Sequence, residues 1–482
     1  MFRKLRSLLA VVIAALACSV NPAGAQDNQP RRPNVLFILV DDLRFDQLGI
    51  AGHPVIKTPN IDRLGREGAV LRNAFVTTPL CSPSRASFFT GQYAHTHGIV
   101  GNETLKLRNF ATDDQLVTYP MVLQTAGYIT AHVGKWHMDD HGRPRKGFDH
   151  WASYRGQGVY NDGEWNVDGA SVQTKGYVTD VTTDYAEAFI RRNHAGKPWC
   201  LSIGHKAVHG PWTPAERHKD LYEQDAVPRA PSIHDDWSGK PVLWREGEGG
   251  TTRPAVGSKN PRLNPSDKTV RDTWRCLAAV DDSVGRLLKV LEETGQLDDT
   301  MIVFTGDNGL FYSEHRLVDK RPAYEESIRV PMLARFPRGI APGTTPAGMA
   351  LNVDIMATFC ELAGVQPPPN HGRSLMPLLS GASDVAWRDA AMFEYFQEAR
   401  YPQWPDWRAV RTDRYKLIHY LGQPQFDELY DLQNDRYEMT NLISDPAHAE
   451  VARQLRQRLV ELERETQTPA RLPPPIAPDA RN

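Results

Sequence analysis

The stretch Asn34-Val-Leu-Phe-Ile-Leu-Val40 is apolar at every position after Asn34 and stops abruptly at Asp41-Asp42. A strand with one wet face alternates apolar and polar residues, whereas one covered on both faces does not. The run therefore predicts a central strand lying between two layers of helices. Similar runs recur at Ile129 to Val133, Cys200 to Ile203 and Met301 to Thr305. Helical patterns separate them. The clearest puts Trp274, Leu277, Ala278, Val284, Leu287, Leu288 and Leu291 on one stripe and ends at Gly295. Strands alternating with helices predict an α/β fold with a mostly parallel central sheet sandwiched by helices. Past residue 380 the pattern changes. Trp407 to Val410, Lys416 to His419 and Glu428 to Tyr430 read as short strands, followed by a helix carrying Val451, Leu455, Leu459 and Leu462. The expected organisation is a large N-terminal domain over 26–380, a smaller C-terminal α+β subdomain with an antiparallel sheet over 381–465, and a Pro-rich tail over 466–482.

Residues 1–25 read as a signal peptide. Arg3, Lys4 and Arg6 precede an apolar run from Leu8 to Cys18, and Ala23 and Ala25 stand where a signal peptidase reads small residues. The expected location is therefore outside the cytoplasm, periplasmic or extracellular in a bacterium, with no transmembrane segment in the mature chain. The cysteines left after cleavage, Cys81, Cys200, Cys276 and Cys360, fit neither a metal motif nor a dense disulfide framework. Lys+Arg 56 against Asp+Glu 58 gives a net charge of -2, so no bulk positive field would hold nucleic acid. Hydrophobic content of 40% and charged content of 24% exclude wholesale disorder and a polytopic membrane protein.

The chemistry sits just past the end of each apolar run. Val40 leads into Asp41-Asp42, Val133 into Gly134-Lys135-Trp136-His137, Ile203 into His205 and His209, and Thr305 into Gly306-Asp307-Asn308. In a parallel sheet these carboxyl ends share one edge, where ligands bind. Asp41, Asp42, Asp307 and Asn308 offer only hard oxygen donors, a set suited to Ca²⁺, with Mg²⁺ as the alternative. Carboxylates gathered without such a cation repel one another. Cys81-Ser82-Pro83-Ser84-Arg85 completes the set. A lone cysteine is on its own a small buried hydrophobe or a protease-type nucleophile, but Cys-x-Pro-x-Arg is a far more specific element.

With that element the chain resembles the type I, formylglycine-dependent sulfatases of the alkaline phosphatase superfamily. The resemblance covers nearly the whole mature chain. It is carried by Asn34 to Arg44, Thr58-Pro-Asn-Ile-Asp-Arg-Leu64, Cys81 to Gly91, Gly134-Lys-Trp-His137, Thr305-Gly-Asp-Asn-Gly309 and Tyr324-Glu-Glu-Ser-Ile-Arg-Val-Pro331, with Gly372 to Leu379 and Leu429-Tyr-Asp-Leu432 as further landmarks. It implies that a maturation enzyme oxidises Cys81 to formylglycine, whose hydrated aldehyde attacks sulfur, and that the second hydroxyl then expels sulfate. It implies a metal held by Asp41, Asp42, Asp307, Asn308 and residue 81. Arg85 would hold the nucleophile, Lys135 and Lys320 would clamp sulfate oxygens, and His137 would be the base. His209, with Lys320, would bind sulfate and protonate the leaving oxygen. Ser313-Glu314-His315 makes His315 an expected substrate contact.

The segment from Tyr154 to Gly169 is rich in Gly, Trp, Tyr and Asp and reads as an excursion suited to sugar rings. The chain is more similar to carbohydrate sulfatases, including the N-acetylglucosamine-6-sulfatase-like group, than to simple aryl sulfatases. A sulfated polysaccharide or oligosaccharide is the expected substrate. Two other readings fit the same sequence: a phosphodiester or phosphonate monoester hydrolase on this scaffold, and a non-catalytic exported glycan-binding protein.

Overall fold

The computed structural model describes residues 32–102, 112–138, 142–193, 196–244, 266–382 and 385–470. The signal peptide expected over 1–25 and most of the tail lie outside these residues.

The strands that build the main sheet are β1 (Asn34–Val40), β2 (Ala69–Val70), β3 (Ile129–Gly134), β4 (His150–Ser153), β5 (Glu164–Val167), β6 (Ala170–Gln173), β7 (Trp199–His205), β8 (Thr300–Gly306) and β9 (Met332–Arg335). Their order across the sheet is β2-β9-β8-β1-β7-β3-β4-β5-β6. The five inner strands, from β8 to β4, run parallel. Antiparallel pairs close both edges. β1 lies near the middle and is buried along its whole length, as an apolar run without alternation requires.

Helices cover both faces: α1 (Pro59–Arg66), α2 (Cys81–Thr90), α3 (Val178–Arg192) and α4 (Asp267–Glu293). Odd and even residues of β1 feed different cores. Leu36, Ile38 and Val40 join Leu277, Leu287 and Leu291 of α4 on one side. Val35, Phe37 and Leu39 join Phe88 and Phe89 of α2 on the other. The C-terminal region forms a separate four-stranded antiparallel sheet, β10 (Ala390–Tyr395), β11 (Trp407–Thr412), β12 (Tyr415–Tyr420) and β13 (Glu428–Asp431), closed by α5 (Ala449–Glu465). Its apolar core also takes in Phe75, Leu80 and Tyr324.

Contrary to the sequence-based expectation, the segment from Tyr154 to Gly169 is not an excursion. β5 and β6 extend the main sheet as a hairpin, and Tyr154, Tyr160 and Trp165 are buried in the core. Their rings are used for packing, with Tyr154 edge-on to Trp165 at 4.9 Å between centroids.

Candidate active site

The parallel register sets the site. Val40 is level with His205 on one side and Gly306 on the other, and Gly134 is level with Gly204. Asp41, Lys135, Lys206 and Asp307 are therefore the first residues past one common edge. Two glycines permit this crowding. Gly134 has φ +98, and a Cβ on it would meet the Gly204 carbonyl oxygen at 2.2 Å. A Cβ on Gly204 would meet the Lys135 carbonyl oxygen at 2.2 Å.

Cys81 is the first residue of α2, and Arg85 follows one turn later on the same face. Leu80 precedes the helix and has no side-chain acceptor, so Asn102 supplies one: its Oδ1 accepts from the Ser82 N–H at 2.9 Å. Cys81 is completely buried. Its Sγ lies 3.5 Å from Asp41 Oδ1 and 2.9 Å from Lys320 Nζ. Ligand atoms of Asp41, Asp42, Cys81 and Asp307 all lie within 4.8 Å of one another.

Three cations face the three carboxylates. Arg85 Nε donates to Asp307 Oδ2 at 2.9 Å and its Nη1 donates to the Lys135 carbonyl at 2.8 Å. Lys135 is bonded to Asp41 and Gln157, and Lys320 to Asp42. Burial opposes ionisation of Asp41, but Lys135, His209, Arg85 and Lys320 together hold its carboxyl well below the usual range. Asp307 differs: burial, then the neighbouring Asp41, pushes it up to about 7. Burial likewise pushes the Cys81 thiol up to about 12.

The oxygen donors fit a hard divalent cation. Three carboxylates converge with Asn308, whose Nδ2 donates to Asp42 Oδ1 at 2.7 Å and to the Gly309 carbonyl at 2.8 Å. Its Oδ1 is buried without a hydrogen-bond partner. An orphaned carbonyl oxygen beside clustered carboxylates is what a Ca²⁺ or Mg²⁺ ligand set provides before the ion is counted.

Two histidines border the cluster. His137 is buried, with positive φ, and its Nδ1 has no protein partner. Burial, then Lys135, keeps its ring far below the ordinary imidazole range, hence neutral. His209 Nδ1 faces the Gly210 carbonyl at 2.6 Å and therefore carries the proton, leaving Nε2 3.8 Å from Asp42 Oδ2. With 23% of its side chain exposed, His209 is the most open member of the set.

His315, expected as a substrate contact, stands apart. It is fully buried, and its Nδ1 pairs with Asp235 at 2.7 Å while its ring lies 4.5 Å from that of Tyr324. Sequence reasoning missed two residues here. Gln157 is bonded to Lys135, and Lys206, 2% exposed, sits with its ammonium 5.0 Å over the Tyr160 ring and is pushed down to about 8 by burial. Lys206 directly follows β7 and was legible by position; Gln157 carries no signal in the sequence.

Parallel strand ends thus deliver acids and bases around one buried thiol at a common edge. The sulfatase family profile matches residues 33–365. A profile described as N-sulphoglucosamine sulphohydrolase, C-terminal, matches residues 313–465. The chain is similar to the N-acetylglucosamine-6-O-sulfatase of Bacteroides thetaiotaomicron, with 32% identity over 95% of this chain and 90% of that one. It is also similar to human N-acetylglucosamine-6-sulfatase, with 31% identity over 77% of this chain and 68% of that one. A solved structure described as being in complex with its substrate D-glucosamine-2-N,6-O-disulfate superposes with a TM-score of 0.81 at 30% identity, covering 94% of this chain and 100% of that one. The chain belongs to the sulfatase family and is a sulfuric ester hydrolase.

Proposed function

We propose that this enzyme removes the 6-O-sulfate from N-acetylglucosamine or N-sulfated glucosamine residues of a sulfated saccharide, outside the cytoplasm. The observation that carries the reading is the convergence of Asp41, Asp42 and Asp307 on residue 81 at the common strand edge, with Asn308 bonded to Asp42. The sugar and sulfate position rest on the substrates named for relatives at 30% identity and above. Export rests on the leader-like sequence of residues 1–25; among the described residues no helix is long and apolar enough to cross a membrane.

Asp41, Asp42, Asp307, Asn308 and residue 81 would hold a divalent cation, which supplies Lewis acidity and positive charge beside the sulfate. Formylglycine, formed from Cys81 by a maturation enzyme, would supply a hydrated aldehyde as the nucleophile. The chain's own groups do the rest. Three carboxylates against Arg85, Lys135 and Lys320 leave the protein groups near formal neutrality, so a bound divalent cation makes the site positive, matched to an anionic ester. Arg85, fixed by Asp307 and the Lys135 carbonyl, orients residue 81. Lys135 and Lys320 can each turn an N–H toward sulfate oxygens. His137, whose Nδ1 is buried without a hydrogen-bond partner, would take a proton from residue 81. A sulfate ester opposite His209 Nε2 favours the imidazolium, which with Lys320 donates to the departing sugar oxygen.

The test is a panel of glucosamine and galactosamine derivatives, each with one defined sulfate. The matured enzyme is expected to release sulfate fastest from the 6-O-sulfated glucosamines. Preference for another position or another sugar refutes the assignment.

A further inference from the structure

We propose that Glu398, from the C-terminal region, is a positioning residue that braces both flanks of the reacting centre at once. This rests on the reading that residue 81 and Lys320 do the chemistry, and it adds a residue no motif marks.

The loop carrying Lys320 is partly bonded within itself, Arg321 Nη1 donating to Asp319 Oδ2 at 2.6 Å, yet its backbone is strained. Ser313, His315, Arg316, Asp319 and Arg321 all have positive φ, with Arg321 at 106°. Such backbone is unfavourable for a non-glycine residue and persists only where the surroundings enforce it. The enforcement arrives at Arg321, next to Lys320. Its Nε donates to Glu398 Oε2 at 2.6 Å, its guanidinium stacks on Tyr401 at 3.5 Å, and its carbonyl accepts from Trp407 Nε1 at 3.1 Å. Arg321 and Glu398 are both almost fully buried, so the pair is shielded from solvent.

The other oxygen of Glu398 reaches the opposite flank. Oε1 accepts from the Asn102 N–H at 3.4 Å, and Asn102 Oδ1 in turn accepts from the Ser82 N–H at 2.9 Å. The Glu398 Cγ lies close against Gly101, 3.6 Å from where a Cβ would stand. One carboxylate therefore ties Lys320, through Arg321, to residue 81, through Asn102 and Ser82. Lys320 Nζ and Cys81 Sγ are 2.9 Å apart, so a slip of either flank changes the reacting geometry directly. Tyr395, on the same stretch, donates to Glu398 Oε2 at 3.2 Å and fixes its rotamer.

The experiment uses the matured, metal-loaded enzyme with 4-nitrophenyl sulfate. Glu398→Gln is expected to lower kcat on the order of 30-fold, within the range that displacements of about 1 Å produce. KM should move less than about 3-fold, because the sulfate-facing groups are all still present. Amide exchange is expected to quicken in residues 80–84 and in 318–323. In a Lys320→Met background the same substitution should cost under about 10-fold, since only the Ser82 arm is left to lose. Asn102→Ala cuts that arm alone and is expected to lower kcat about 10-fold, with faster exchange confined to 80–84. This second variant decides the matter if Glu398→Gln does not fold. An unchanged kcat, an undiminished 30-fold loss in the Lys320→Met background, or unaltered exchange overturns the proposal. If the parent enzyme releases no sulfate from N-acetylglucosamine 6-sulfate either, but exchange rises in both segments of the variant, the functional reading fails and the brace stands.

Discussion

Lys320→Met separates two effects of one ammonium group. In the structure Lys320 Nζ is bonded to Asp42 and lies 2.9 Å from Cys81 Sγ, with only 3% of the side chain exposed. Burial opposes its charge, but the carboxylates of Asp42 and Asp41 hold it well above the usual lysine range. Removing one partner of a buried pair typically costs about 3–5 kcal/mol, because the other is left uncompensated. Asp42 still accepts from Asn308 at 2.7 Å, which places the loss at the lower end, about 3 kcal/mol. For a chain of this length that is about 3 °C in Tm, measured without added metal. The same ammonium competes with a divalent cation for Asp42. A divalent cation and an ammonium 4 Å apart repel by about 8 kcal/mol at an effective dielectric of 20, well above the roughly 1.4 kcal/mol of a tenfold change, so Ca²⁺ binding is expected to tighten by about tenfold or more. Turnover moves the other way. Loss of a donor aimed at developing charge lowers kcat about 10²–10³-fold. Calorimetric Ca²⁺ titration, melting curves and nitrophenyl sulfate kinetics on the parent and the variant give all three numbers. Weaker Ca²⁺ binding, or a kcat within about 3-fold of the parent, refutes the reasoning.

His209→Ala should lose about tenfold more activity on a sugar sulfate than on nitrophenyl sulfate, since the poorer leaving group needs the proton more; equal losses contradict the acid role. Chelation should abolish activity and lower Tm, and Ca²⁺ at about 100 times its Kd should restore about 2.7 kcal/mol of stability; activity that survives exhaustive chelation contradicts the metal site. His97 sets a pH dependence. Its Nδ1 accepts from the Ile99 N–H at 3.1 Å and its Nε2 meets Ser87 Oγ at 3.1 Å, and burial pushes the ring down to about 3. A folded value below the unfolded one of about 6.5 means the contribution is present above that pH and is lost as pH falls toward 3. Between pH 7 and 5 this group alone should cost about 2 kcal/mol in urea unfolding, and His97→Gln should flatten the profile by that amount.

The main architecture was legible because burial on both faces erases alternation. β1 and β8 announce themselves as nearly continuous apolar runs and β3 and β7 as short, mostly apolar ones broken by Thr130, His132 and Ser202, and the residues just past them are forced onto one rim by parallel pairing. Asp41, Lys135 and Asp307 could be placed together from that alone. The C-terminal strands and α5 were visible from turn spacing and a helical stripe. The Tyr154 to Gly169 segment misled because its glycines and aspartates resemble a loop, although exposed Glu164 beside buried Trp165 is the start of an edge-strand alternation. Pairings between distant polar side chains stayed hidden. Gln157 on Lys135, Asp235 on His315 and Glu398 on Arg321 join residues 22, 80 and 77 positions apart, and no periodicity in a chain records such contacts.

The most direct measurement compares sulfate release from N-acetylglucosamine 6-sulfate by the parent enzyme and by Cys81→Ala, with mass spectrometry of the peptide carrying residue 81 on the same sample. The account predicts loss of sulfur and gain of an aldehyde oxygen at residue 81, stoichiometric sulfate from the parent, and none from the variant. Undiminished release by Cys81→Ala, or no release by a parent whose residue 81 is fully converted, would contradict it.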